Sequence, residues 1–111
     1  MTMQYARTLN GNATIAAAGT TQATATAVTA GLTIVSSATG TTADGIRLPA
    51  SWGIGECITI VNITAVALDV FPPTGGAING GTADAAKALA ANMSGEYTSL
   101  GSGNWGAVLS A

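Results

Sequence analysis

From Ala13 onward the chain is a succession of short alternating or β-branched runs separated by turn residues, and this punctuation constrains the fold more than any other feature. Residues 22–28 (QATATAV) alternate alanine and threonine with the period-two pattern of a half-buried strand. Residues 32–36 (LTIVS) are short and β-branched, and Thr39-Gly40-Thr41-Thr42 and Asp44-Gly45 supply turn chemistry. Ile46-Arg47-Leu48 reads as a short strand stopped by Pro49, which cannot donate to a ladder. Residues 49–55 (PASWGIG) form a loop, and residues 56–62 (ECITIVN) are the clearest strand. In that strand Cys57, Thr59 and Val61 share one face and Ile58 and Ile60 the other. Residues 66–71 (VALDVF) make a further strand, stopped by Pro72-Pro73. A short Ala77-Ile78-Asn79 piece lies between Gly75-Gly76 and Gly80-Gly81, and residues 96–100 and 104–109 form a hairpin across Gly101-Ser102-Gly103.

Residues 82–92 (TADAAKALAAN) carry good helix formers, but an isolated helix this short is marginal in an otherwise β chain. A turn followed by a strand around Lys87 is the expectation there. Strands recurring about every 8–12 residues indicate a sandwich or barrel. No repeat of fixed period is present, which disfavours a solenoid. The expected fold is therefore all-β: a single compact β-sandwich or barrel-like domain over residues 13–111, preceded by a short N-terminal arm, residues 1–12.

Charge then narrows the function. Only 7% of the 111 residues are charged, with three basic groups against five acidic ones and no histidine. Arg7, Arg47 and Lys87 cannot build a phosphate-binding surface, so nucleic acid is not an expected partner. The ligands for a zinc site are missing, and nucleophilic catalysis of the Ser–His–Asp or Cys–His type lacks its base. No cofactor, metal or catalytic residue is expected, and the chain reads as a non-enzyme. No apolar run reaches the roughly 20 residues of a membrane span, and the N-terminal residues lack the apolar stretch of a secretory signal. Cys57, the one cysteine, fits a buried thiol made in a reducing cytoplasm.

The apolar composition points outward. Hydrophobic residues make up 48% of the chain, but 23 alanines and 17 threonines outnumber every bulky type. An alanine methyl contributes only about 0.8 kcal/mol on burial, against about 1.5–3 kcal/mol for Val, Leu, Ile or Phe. A small-residue core and a nearly uncharged surface together suit a chain that is covered by other subunits.

Individual side chains support the same view. Asp44, Glu56, Asp69, Asp84 and Glu96 are better read as turn, cap and solvated groups than as a catalytic pair or calcium ligands. The Gly-Gly pairs are not followed by the Lys-Ser/Thr of a phosphate loop. Thr24-Ala25-Thr26 lacks the fixed repeat of an ice-binding ladder. Trp105 is expected to pack into the core. Trp52, in its Pro- and Gly-bounded loop, is either an exposed anchor at a protein contact or a local lid.

One ordered series of features carries a resemblance. Ile46-Arg47-Leu48-Pro49 is followed by Gly53-Ile54-Gly55, a strand ending Val61-Asn62, then Val70-Phe71-Pro72-Pro73, Gly76-Ala77-Ile78-Asn79-Gly80, Tyr97 and Gly103-Asn104-Trp105. Over residues 45 to 105 this order resembles the small β-rich virion proteins of tailed bacteriophages, the capsid decoration (cement) proteins and related fibre-associated domains. The resemblance implies a structural protein on the outside of a phage head, made in the host cytoplasm, with the major capsid protein and further copies of itself, as a homotrimer, as partners. The arm would meet the capsid through Gln4, Tyr5, Arg7, Leu9 and Asn10, with Trp52 as a further contact. The alternative it implies is a fibre or spike head domain that binds a host-surface glycan, for which Trp52 near Glu56 is the hint.

Overall fold

The computed structural model describes residues 11–38 and 44–110, and among these there is no helix. Nine strands form: β1 (Asn12–Ala16), β2 (Thr26–Ala27), β3 (Leu32–Ser37), β4 (Gly45–Arg47), β5 (Cys57–Asn62), β6 (Leu68–Phe71), β7 (Lys87–Leu89), β8 (Ser94–Gly101) and β9 (Asn104–Leu109). They make two mixed sheets, a five-stranded one in the order β1-β3-β5-β8-β9 and a four-stranded one in the order β2-β4-β6-β7. The turn expected at residues 39–43 lies outside the described residues.

The first six strands alternate between the sheets, and each of β1 to β4 pairs in parallel with the strand two places on. The chain therefore winds through three successive coils, a solenoid-like path that the sequence reading disfavoured. The reason is that the coils differ in length. Leu32 lies 20 residues after its partner Asn12, but Thr59 lies 27 after its partner Leu32. In the other sheet Ile46 follows its partner Thr26 by 20 residues and Val70 follows Ile46 by 24. The winding then ends, because β7, β8 and β9 run antiparallel to β6, β5 and β8.

Local sequence explains most elements. β5 buries Ile58, Ile60 and Asn62 and leaves Cys57, Thr59 and Val61 half-buried, as its alternation requires. The β8–β9 hairpin turns at Ser102 and Gly103, both with positive φ (57° and 81°), the geometry of a two-residue turn that suits twisted strands. Residues 82–92 hold a turn and β7, as expected from their context. Residues 22–28 differ from expectation: only Thr26 and Ala27 are strand. The Thr21 and Thr24 hydroxyls bond each other at 2.8 Å, and the amides of Thr24 and Ala25 turn back to the Thr21 carbonyl at 3.2 and 3.0 Å. Threonine hydroxyls that bond nearby backbone favour a turn over a ladder.

One core cluster draws on both sheets, with Val35, Ile58, Ile60, Tyr97 and Trp105 from the larger and Ile46, Leu68, Val70 and Leu89 from the smaller. Two polar side chains sit fully buried beside it. Thr33 donates its hydroxyl to the Ala30 carbonyl at 3.1 Å. Asn62, at the end of β5, donates to the carbonyls of Val66 and Ala90 at 2.8 and 3.1 Å, and so ties the larger sheet to the segment that follows β7. The free edge of β9 is covered by residues 77–79. Asn79 accepts from the Ala107 amide at 2.8 Å and donates to its carbonyl at 3.3 Å, as a neighbouring strand would.

Candidate functional site

The two sheets treat their outward faces differently. On the four-stranded sheet, Arg47 stands between Ala27 and Phe71 on the side away from the core. Phe71 is nonetheless buried there. A side chain at Gly45 would strike Phe71 at 2.9 Å and Ala25 at 3.1 Å, so the segment around Ala25 lies over this face. It is held down by Arg47, whose guanidinium donates to the Gln22 carbonyl at 2.8 Å. Gln22 in turn donates to the Pro72 carbonyl at 2.8 Å and to Asp84 at 3.0 Å. The Gly75 amide, 2.6 Å from the Asp84 carboxylate, holds its pKa below the usual 3.8, with Gln22 adding to the effect.

Among the described residues, the five-stranded sheet has no such cover. Its register sets Asn12, Leu32, Thr59, Glu96 and Val108 in one outward row. Thr14, Ile34, Val61 and Ser94 form the next, and Cys57, Thr98 and Gly106 a third, with Leu100 lying over Gly106. The large apolar side chains left exposed among the described residues are Leu32, Ile54, Ile63, Leu100 and Val108, and all five belong to this face or its rim. Val108 is 74% and Leu100 53% exposed. Ile63 continues the outward parity of β5, and Ile54 leans on Gly101 at the end of β8. Glu96 is the only charged residue on the five strands.

Strands about 4.8 Å apart and a rise of about 3.3 Å per residue make this face roughly 24 by 20 Å. Large apolar side chains gathered on one side of a soluble domain, rather than scattered singly, are a feature of contact surfaces. Nothing in a period-two pattern reveals this face beforehand. β5 and β3 are apolar on both sides, so the sequence did not show which side is bare.

The residues singled out from the sequence fall as follows. Gln4, Tyr5, Arg7, Leu9 and Asn10 lie outside the described residues. Trp52 is half-buried against the core, its ring 6.3 Å from that of Trp105 and tilted by 51°. Trp105 itself is buried, as expected. The loop carrying Trp52 is rigidly tied. Glu56 accepts from the Gly53 amide at 2.7 Å, the Gly55 amide donates to the Ser99 carbonyl at 2.8 Å, and the Ser99 hydroxyl donates to the Trp52 carbonyl at 3.0 Å. Trp52 and Glu56 are thus both engaged in local structure. Cys57 is half-buried rather than buried, because it faces away from the core; its sulfur lies 3.4 Å from the Thr98 hydroxyl.

A groove of about 460 Å³ opens where β2, β4 and β6 end, lined by Val28, Leu48, Pro49 and Pro73 with Arg47 and Thr74. Among the described residues, no three of His, Cys, Asp and Glu gather as metal ligands would.

Comparison with models of known protein families finds no match, and comparison with curated proteins finds none.

Proposed function

We propose that this chain is a structural assembly protein, and specifically a capsid decoration protein that binds the outer surface of a phage head and stabilises it. The observation that carries the reading is the outward face of the five-stranded sheet, which leaves Leu32, Leu100 and Val108 exposed among threonines and serines, on a chain with only 7% charged residues. Apolar area of this kind favours contact with another protein surface by about 25 cal/mol per Å² removed from water. The ordered motif series over residues 45 to 105 gives that contact its setting, on the virion and in several copies.

The two sheets serve as the layers of an open β-sandwich, a reading supported by the core cluster they share. The arm containing Gln4, Tyr5, Arg7, Leu9 and Asn10 reaches the major capsid protein, while the sheet face serves assembly. Repetition over a symmetric shell multiplies modest single contacts into stable attachment. No chemistry on a substrate is part of this role. The fibre-head alternative has less support, because Trp52 packs inward on Trp105 and Glu56 caps its own loop.

The test is co-sedimentation with empty phage heads that lack the protein. Saturable binding with a fixed number of copies per head supports the reading. Failure to bind any head, together with retention on host glycans, would replace it with the fibre alternative.

A further inference from the structure

We propose that Asn79 is a site of spontaneous deamidation, and that its conversion to aspartate or isoaspartate uncovers the free edge of β9. This chemistry goes beyond the assembly reading above and needs no partner but water.

Residues 77–79 run beside β9 as a short parallel strand. The Trp105 amide donates to the Ala77 carbonyl at 2.9 Å, and the Asn79 amide donates to the Trp105 carbonyl at 2.8 Å. The chain then turns away before the next rung. Asn79 and Gly80 both have positive φ, 54° and 69°, and the Gly81 amide closes the turn on the Ile78 carbonyl at 3.0 Å. The Asn79 side chain supplies the missing rung, Oδ1 accepting from the Ala107 amide and Nδ2 donating to the Ala107 carbonyl. An amide side chain suits this place because it carries an acceptor and a donor side by side, as a peptide unit does.

The same turn holds the parts of the reaction. The Gly80 backbone nitrogen attacks Cγ of Asn79 and forms an N–Cγ bond. The Cγ–Nδ2 bond breaks, and Nδ2 leaves as ammonia with the proton that the Gly80 nitrogen gives up. Water then opens the cyclic imide at one carbonyl or the other, giving aspartate or isoaspartate. Gly80 has no Cβ to hinder its nitrogen, and among the described residues its amide donates no hydrogen bond. Asn79 is exposed, so water enters and ammonia departs freely. Attack puts negative charge on Oδ1, where the Ala107 amide already donates at 2.8 Å, as a donor in an oxyanion site does. The other described asparagines, Asn12, Asn62, Asn92 and Asn104, precede Ala13, Ile63, Met93 and Trp105, whose side chains crowd the attacking nitrogen.

Conversion removes the donor. Aspartate sets a carboxylate oxygen against the Ala107 carbonyl, and isoaspartate reroutes the backbone through the side chain and abolishes the rung. Either product strips cover from an edge of the kind that sheet proteins keep protected.

The experiment incubates the full chain in mildly alkaline buffer. Peptide mapping follows residue 79 and separates it from Asn10-Gly11, the other Asn-Gly pair. Hydrogen exchange follows the Ala107 amide. Aspartate and isoaspartate are expected at residue 79, forming faster as pH rises, because the Gly80 nitrogen must lose its proton. In the converted fraction, isolated by its added negative charge, the Ala107 amide should exchange about tenfold faster than in fresh protein. Gly80→Ala, checked for folding by circular dichroism, should convert more slowly. Asn79 that stays intact while the same pair converts in urea-unfolded protein overturns the proposal. So does a converted fraction that keeps its protection at Ala107, or a folded Gly80→Ala variant that converts as fast as wild type.

Discussion

Asn62 accepts hydrogen bonds from both the amide and the hydroxyl of Thr64, at 3.0 and 2.7 Å, while fully buried. Its amide is spent in the other direction, on the carbonyls of Val66 and Ala90. One side chain thus closes the turn after β5 and joins it to the chain beyond β7. Asn62→Ala strands several buried groups, each costing about 1–3 kcal/mol. The expected loss is about 3 kcal/mol in urea unfolding, and Asn62→Asp should be at least as harmful, since a carboxylate cannot donate to those carbonyls.

Tyr97 is the counterpart, a buried hydroxyl with no partner among the described residues. Burial raises its pKa far above the usual 10. The folded state therefore favours the neutral phenol, and stability is full below pH 10 and lost as pH rises through that value toward the folded pKa. Tyr97→Phe is expected to be neutral or stabilising by about 1 kcal/mol at neutral pH. It should also flatten the alkaline loss, as measured by denaturation at a series of pH values.

The two tryptophans should part company energetically. Trp105 is buried, and Trp105→Ala is expected to cost about 3–5 kcal/mol. Trp52 covers it from a half-buried position, and Trp52→Ala should cost clearly less, about 1–2 kcal/mol. Chemical unfolding measures both. Trp52→Ala should also shift the emission of the remaining indole to the red as water reaches it.

Much of the fold was legible because short-range rules govern it. The alternation of β5, the stop at Pro72-Pro73 and the Ser102-Gly103 turn each follow from the residues themselves. The winding was not legible, since coils of unequal length leave no repeat to detect. Residues 22–28 misled because threonine satisfies a strand pattern and a hydroxyl-bonded turn equally well, and the Ala25 amide returns to the Thr21 carbonyl rather than to a ladder. The candidate surface was legible only as a shortage of charge. Which face would be bare depends on the segment around Ala25 folding over the other sheet, a long-range event that no local pattern announces.

The arm can be separated from the fold. Arg7→Glu is expected to weaken attachment to phage heads in co-sedimentation while leaving the urea midpoint unchanged. Attachment at wild-type strength would remove the arm from the proposal.

The central claim is that this chain is built to be covered, on the outside of a phage head. Cryo-microscopy of the particle with which the protein co-purifies tests it most directly. The predicted result is density for this fold at repeated sites on the outer shell, with the face bearing Leu32, Leu100 and Val108 buried against another protein. Density inside the head or at a fibre tip, or a particle in which that face stands in solvent, would contradict it.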